Sequence, residues 1–227
     1  MWSCIRHHYE QTSLFMRVGA LAFLFVMCVV IPLSAEALGM SAYPIQALFD
    51  VASLSLTVVP AYAFFLYCWV AQYSVFERIR IPDRQVFFTN ACVATVCAAV
   101  VTALDVLVAA GTLLWIAPGG FSSGAFYLGK LIPVAVRLFM MLDLFGLVLW
   151  ALTCWGMSWA HASVLCVIAS FLAIGLIRSG VEAVSTFFFP FMVEATGGIS
   201  VVSVVPFCAA VAVCMAVAFT GWMKTSR

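Results

Sequence analysis

Six long apolar runs, separated by short polar or glycine- and proline-containing stretches, divide the chain. A helix that crosses a bilayer needs about 17 to 25 predominantly apolar residues, and each run reaches that range. Because lipid offers the backbone no hydrogen bonds, spanning segments form helices. The pattern therefore predicts an all-α integral membrane protein, a single domain over residues 1–227 with six transmembrane helices. The predicted spans are residues 18–34, 51–72, 87–116, 131–155, 160–177 and 201–223.

Composition supports a membrane location. Hydrophobic residues make up 66% of the chain and charged residues only 8%, whereas a soluble domain carries about 25% charged residues. The net charge of +1 gives no reason to expect a nucleic-acid partner. The few charges are therefore informative mainly through their positions.

The first 17 residues predict an amphipathic helix on the membrane surface. Apolar or weakly polar side chains recur at intervals of three and four, from Trp2 through Ile5 and Tyr9 to Met16, while Arg6 and its neighbours lie on the other side. Such a helix lies in the interface with its apolar face in lipid. A frayed leader is the alternative interpretation.

The distribution of Lys and Arg predicts the orientation. With six spans, both termini and the 73–86 loop share one side, which holds seven basic residues against three on or towards the other. By the positive-inside rule, the termini are cytoplasmic and the protein lies in the cell membrane. The seven are Arg6, Arg17, Arg78, Arg80, Arg84, Lys224 and Arg227, and the three are Lys130, Arg137 and Arg178. Five tryptophans are expected near the cytoplasmic boundary, Trp69, Trp150, Trp155, Trp159 and Trp222.

The densest group of charges is the sequence ERIRIPDR at residues 77–84. A short helix is expected against the membrane here, broken by Pro82, with Asp83 capping the third span. The other charged side chains would face the cytoplasm, available to a partner. The positive-inside bias alone is the alternative explanation. The residues concerned are Glu77, Arg78, Arg80, Pro82, Asp83 and Arg84.

Three charges fall inside predicted spans: Asp105 in the third, and Arg137 and Asp143 in the fourth. At about 1.5 Å per residue from the outer ends, their depths are about 16, 9 and 18 Å. Arg137 is therefore expected to pair with one or both carboxylates. A structural ion pair and a substrate or proton pathway are both consistent with this cluster.

Two stretches on the outer side are irregular in composition. Residues 178–200 are too apolar for a loop in water, yet they are interrupted by Pro190 and glycines and charged by Arg178, Glu182 and Glu194. A re-entrant hairpin before the last span fits this composition, and an amphipathic external loop is the alternative. Ser122, Ser123 and adjacent glycines predict the loop between the third and fourth spans.

No pattern indicates a cofactor or catalysis in this chain. Eight of the nine cysteines fall inside spans and no Cys-x-x-Cys occurs, so they are interpreted as packing residues. His161 is the only histidine near a span, which disfavours haem. The stretch from Gly124 to Lys130 resembles a phosphate-binding loop but lacks the following Ser or Thr.

Small residues form two stripes that would let helices approach closely, within the chain or between chains. They are Ala91, Thr95, Ala99 and Ala103 in the third span, and Cys208, Ala212, Ala216 and Thr220 in the last.

The layout of this chain resembles that of permease subunits of ABC transporters. Three features carry the resemblance: the leader, the charged sequence FERIRIPDRQVFF between spans two and three, and the broken apolar segment before the last span. The similar family is the six-span export type, which includes lantibiotic and bacteriocin immunity permeases. The resemblance implies that residues 73–86 form a coupling helix on a cytoplasmic ABC ATPase, which would hold ATP and Mg²⁺. It also implies a second permease copy or a related permease as partner. The external segment at residues 178–200 would lie near the exit of the transport pathway.

The substrate expected from so apolar a set of spans is amphipathic or hydrophobic, such as a peptide, an antibiotic or a lipid-like molecule. Two other classes are consistent with the sequence. One is the substrate-binding subunit of a vitamin-type importer, for which Lys130, Arg137 and Glu182 are the candidate polar groups. The other is a small channel or electron-transfer subunit.

Overall fold

The computed structural model describes residues 13–37, 57–70, 83–116, 121–178 and 201–225. All regular secondary structure in these ranges is α-helical, as the sequence predicts. The helices are α1 (Leu14–Ala37), α2 (Val58–Tyr67), α3 (Asp83–Ile116), α4 (Phe121–Cys154), α5 (Trp159–Arg178) and α6 (Val201–Thr225).

Among the residues that the structure describes, three helices are long and apolar enough to cross a membrane, within Gln85–Gly111, Leu131–Cys154 and Val204–Lys224. Shorter apolar helical stretches lie at Leu14–Val30, Val58–Tyr67 and Trp159–Ala169. Large apolar side chains also point outwards, with Leu107 70% and Ile132 67% exposed. An apolar interior together with an apolar exterior is typical of a protein whose solvent is lipid. The chain therefore has the character of a helical membrane protein.

Helix α4 lies at the centre of the bundle and packs against α2, α3, α5 and α6. Helices α3 and α4 run antiparallel, because Thr95 contacts Asp143 while Phe87 contacts Trp150. Helices α1 and α2 are also antiparallel, since the Cys68 thiol lies against the carbonyl of Met16 and Phe23 packs edge-on against Phe64. The buried core contains Leu24, Tyr62, Leu66, Phe87, Leu138, Leu142 and Leu149.

Helix α2 meets α4 at Tyr62, which is fully buried. Its hydroxyl donates to the Ala94 carbonyl of α3 at 3.1 Å. On the α4 side the ring lies over Gly146, where an added Cβ would overlap the hydroxyl and approach Cζ to 3.2 Å. Gly146 is therefore the residue that lets three helices meet around one tyrosine.

The turn between α4 and α5 follows directly from its sequence. Gly156 has φ +90°, the Gly156 N–H donates to Thr153 O at 3.0 Å, and the Met157 N–H donates to Leu152 O at 3.2 Å. These two bonds make a Schellman motif, in which glycine takes the left-handed conformation. Ser158 then caps α5, its Oγ accepting from the His161 N–H at 3.4 Å.

Several helix boundaries differ from the predicted ones, and two of these differences change an interpretation. Helix α4 begins at Phe121, so Ser122 and Ser123 are helical and the prediction of a loop there was wrong. No proline lies between Phe121 and Pro133, so the helix runs through these serines, and it continues past Pro133 to Cys154 over about 51 Å. Helix α1 begins at Leu14, where Ser13 Oγ accepts from the Met16 N–H at 3.2 Å. Residues 14–17 of the predicted leader therefore belong to α1.

Candidate functional site

The three charges predicted to lie inside spans are all buried among the helices. Asp105 is 4% exposed, Arg137 7% and Asp143 4%. Ionisable side chains inside an apolar helical bundle are costly, and they are retained where they bind a partner group or perform a function. Their surroundings define the first candidate site.

Asp143 is bonded to α3 through a hydroxyl. Thr95 Oγ1 donates to Asp143 Oδ1 at 2.8 Å, and the same hydroxyl lies 3.4 Å from the carbonyl of Ala91. The shorter contact indicates that the carboxyl group is the main acceptor. Sequence reasoning placed Thr95 in a stripe of small residues and missed this role, although its hydroxyl distinguished it from the alanines of that stripe.

Asp105 is bonded to α1 through a thiol. The Cys28 side chain hydrogen-bonds to the Asp105 carboxyl group, and Cys28 is itself buried. Within the described ranges, Asp105 Oδ2 has no hydrogen-bond partner, and neither does Thr102 Oγ1 one turn earlier on α3. Sequence reasoning assigned Cys28 to packing alone. The buried face of α3 thus carries a row of polar groups at Thr95, Thr102 and Asp105.

Arg137 lies between the two carboxyl groups along the bundle. The antiparallel register of α3 and α4, set by the Thr95–Asp143 contact, places Arg137 level with residue 101 of α3. At about 1.5 Å per residue, it is about 6 Å along the axis from the level of Asp105 and about 9 Å from that of Asp143. Arg137 makes a contact of its own, and its pairing with either carboxyl group stays a prediction.

A second feature is an aromatic cluster where α3 begins and where α4 and α6 end. Phe87, Trp150 and Trp222 contact one another, with ring centroids 6.3 Å apart for Phe87–Trp150, 6.1 Å for Phe87–Trp222 and 5.8 Å for Trp150–Trp222. Phe219 adds an edge-on contact to Phe87 at 5.7 Å. Tilted and edge-on rings at these separations are favourable, so the cluster ties three helix ends together.

Further tryptophans surround the same end of the bundle. Trp155 Nε1 donates to the Val217 carbonyl at 3.0 Å, and Lys224 Nζ lies 5.4 Å from the centroid of the Trp155 ring. Trp159 Nε1 donates to the Ala63 carbonyl of α2 at 3.3 Å, and Trp69 follows directly after α2. All five tryptophans therefore gather at one end, as predicted. That this end faces the cytoplasm stays a prediction.

A cavity of about 1110 Å³ opens at this tryptophan-rich end. Its walls come mainly from α2 and α5, and Trp150 and Cys154 of α4 contribute as well. No Asp, Glu, Lys or Arg is among the described residues that line it. A cavity of this size and apolar character is typical of a small-molecule site.

The structure holds no evidence for a metal centre in the ranges it describes, where no three His, Cys, Asp or Glu side chains come together. His161 instead hydrogen-bonds through Nδ1 to Ser158 Oγ at 2.5 Å, as part of the cap of α5.

Several predicted site residues lie outside the described residues, including most of the coupling loop and the external segment. Asp83 and Arg84 are the first two residues of α3, and Arg178 is the last residue of α5. Lys130 lies within α4. The residues outside are Glu77, Arg78, Arg80, Pro82, Glu182, Pro190 and Glu194.

Comparison with known proteins identifies no relative: no protein-family model, no curated protein and no solved structure matches this chain. The similarity to ABC permeases therefore rests on the layout of the sequence, and the candidate sites rest on their own geometry.

Proposed function

We propose that this chain is the membrane-spanning permease subunit of an ATP-driven exporter. The observation that supports it most is the burial of Asp105, Arg137 and Asp143 inside helices apolar enough to span a bilayer. Buried intramembrane charge of this kind is a feature of substrate and ion pathways. The substrate is an amphipathic or hydrophobic molecule, and ATP hydrolysis takes place in a separate cytoplasmic ATPase.

The topology that we propose has six spans with both termini in the cytoplasm. Each described helix overlaps one of the six apolar runs, which supports this count. Helix α2 ends and α3 begins at the tryptophan-rich end, and aromatic rings of this kind gather at membrane interfaces. The basic residues of the same segment favour the cytoplasmic side.

Coupling in this proposal runs through α3. The ATPase contacts Arg78 and Arg80, and α3 begins at Asp83 directly after them. Because α3 is a continuous helix of 34 residues, a displacement of its first turn is carried along the helix to Thr95 and Asp105. The Thr95–Asp143 bond then passes the displacement to α4.

A second permease copy is the other proposed partner, and α6 is the helix that supports it. Only 11% of its apolar window is buried within the chain, against 50% for α4. The stripe from Cys208 through Ala212 and Ala216 to Thr220 is exposed along its whole length. Small residues on an exposed helix face allow close packing against another helix in a membrane.

Where a neighbouring gene encodes a Walker-type ATPase, the coupling assignment is tested by co-purifying that ATPase with the full chain and measuring ATP hydrolysis. The double change Arg78→Ala and Arg80→Ala is expected to weaken the complex and lower hydrolysis. The control, Arg6→Ala with Arg227→Ala, removes the same charge from the same predicted side and is expected to change neither. If the two double variants bind the ATPase and support ATP hydrolysis equally well, the docking role is refuted.

The role of the buried charge is tested separately with Asp105→Asn and Asp143→Asn. Both substitutions preserve shape while removing charge. We expect a normal yield of folded protein with loss of ATP-driven transport in proteoliposomes. Normal transport by both variants would show that these carboxylates do not carry the function, whatever the docking result.

A further inference from the structure

We propose that Asp105 is a proton-binding site, whose carboxyl group carries a proton in the folded chain and accepts the Cys28 thiol as a neutral acid. This inference goes beyond the proposed function, because the protonation of the chain at rest needs no ATPase. Within the buried cluster, Asp105 is then a carrier of a proton and not a fixed negative charge.

The α1–α3 contact that surrounds Asp105 is apolar. Leu24 and Cys28 lie one turn apart on the buried face of α1, and Ala98 and Val101 lie two turns and one turn before Asp105 on α3. None of these four neighbours along the two faces is more than 1% exposed, and Asp105 itself is 4% exposed. An ionised carboxylate loses its hydration in such a place, whereas the neutral acid loses far less. Burial therefore favours the protonated group.

The hydrogen bonds of Asp105 are those of a neutral acid. Its partner on α1 is the Cys28 thiol, which is a weak donor. Among the described residues Oδ2 has no partner, and the hydroxyl of Thr102 one turn earlier makes no bond either. Asp143 differs, because it accepts the hydroxyl of Thr95 at 2.8 Å. Two carboxyl groups in one bundle therefore have different environments, and Asp105 has the weaker donors.

The other helices that pack on α3 contribute few groups that titrate or carry charge near Asp105. On α4, Arg137 lies about 6 Å away along the bundle axis, and an ion pair with Arg137 is the arrangement that competes with a bound proton. On α2, the Tyr62 hydroxyl is bonded at Ala94, eleven residues before Asp105 and about 16 Å along α3. On α1, the facing group is the neutral thiol of Cys28.

The packing also decides which ligand the site takes. Because Oδ2 has essentially no accessible surface, a metal ion or a water molecule does not fit beside it, and a proton does. A proton held there is released only when α1 and α3 separate enough to admit water. Protonation of Asp105 is thereby linked to the packing of α1 on α3.

Infrared spectroscopy of the purified full chain tests the proposal, in a detergent without ester groups. At about pH 6, exposed carboxyl groups with a pKa near 4 are ionised, so a carbonyl-stretch band of a protonated carboxyl reports a buried acid. We expect Asp105→Asn to lose the intensity of one such group per chain. If Asp105 is instead ionised and paired with Arg137, Asp105→Asn leaves this region of the spectrum unchanged and the proposal is overturned.

Variants of the thiol assign the band independently. Removing the donor with Cys28→Ala is expected to shift the band to higher frequency, and Cys28→Ser, a stronger donor, to lower frequency. Cys97→Ala is the matched control, since Cys97 is also buried on α3 but lies about 12 Å along the helix from Asp105, and its band should match wild type.

The Cys28 variants decide the outcome if Asp105→Asn fails to fold. A band that stays in place in both folded Cys28 variants would show that the protonated group is not bonded to this thiol. A band that persists in Asp105→Asn and disappears in Asp143→Asn would place the proton on Asp143. Either result overturns the proposal.

Discussion

Replacing Gly146 with alanine tests the packing that joins α2, α3 and α4. The new methyl group would overlap the Tyr62 hydroxyl and lie 3.2 Å from Tyr62 Cζ and 3.4 Å from Leu66 Cδ2. Tyr62 is fully buried and bonded to the Ala94 carbonyl, so it cannot turn away without losing that bond. The three helices must therefore separate slightly or the tyrosine must move.

The expected change in the free energy of unfolding is the balance of three effects. Overpacking a buried site costs about 1 to 3 kcal/mol, and losing the tyrosine bond adds about 0.5 to 1.5 kcal/mol. Alanine in place of glycine in a helix recovers about 1 kcal/mol. Gly146→Ala is therefore expected to lower the free energy of unfolding by about 0.5 to 3.5 kcal/mol.

Thermal unfolding in detergent, followed by a dye that reacts with newly exposed cysteines, measures the effect. Buried thiols such as Cys97 and Cys154 become reactive only when the bundle opens. Gly111→Ala is the matched control, because nothing lies within 4 Å of the added Cβ, and it should be neutral or slightly stabilising. A Gly146→Ala protein that unfolds at the wild-type temperature would refute the proposed packing.

A double mutant identifies the hydroxyl as the cause. Tyr62→Phe removes the oxygen that the alanine would overlap, so Gly146→Ala should cost less in the Tyr62→Phe background than in wild type. Purely additive effects would show that the two residues are not in contact.

Three other predictions use the same unfolding measurement. Thr95→Val removes the donor to Asp143 and should cost about 1 to 3 kcal/mol; an unchanged midpoint would contradict that bond. Gly156→Ala should cost about 1 to 2 kcal/mol because φ is +90°, and Gly156→Asn should cost less; equal losses would argue against a left-handed residue. Ser158→Ala should cost about 1 kcal/mol through loss of the cap and Ser158→Asp much less, whereas identical behaviour would show that the cap contributes nothing.

Much of the fold follows from short-range patterns. The apolar runs predicted the helices because lipid offers the backbone no hydrogen bonds, and a helix pairs its own N–H and C=O groups within the segment. Burial of Asp105, Arg137 and Asp143 was also predictable, since each interrupts a long apolar run. The extension of α4 back to Phe121 was missed, because serine and glycine suggest a turn but do not by themselves end a helix.

The polar partners of the carboxyl groups depend on which helices are neighbours. Cys28 is 77 residues from Asp105 and Thr95 is 48 residues from Asp143 along the chain, so no local pattern connects them. The same is true of the cavity, whose walls come from α2 and α5. Its lining residues are recognisable as neighbours only when the packing of the helices is known.

By itself, the sequence determined that the chain forms apolar helices with its tryptophans near their ends, because hydropathy and hydrogen bonding to the backbone act within each helix. Only the tertiary structure decided that α4 is central, that Gly146 accommodates Tyr62 and that Trp150 and Ser163 line one cavity. These features arise from the fit of side chains between helices, and that fit depends on register and crossing rather than on composition.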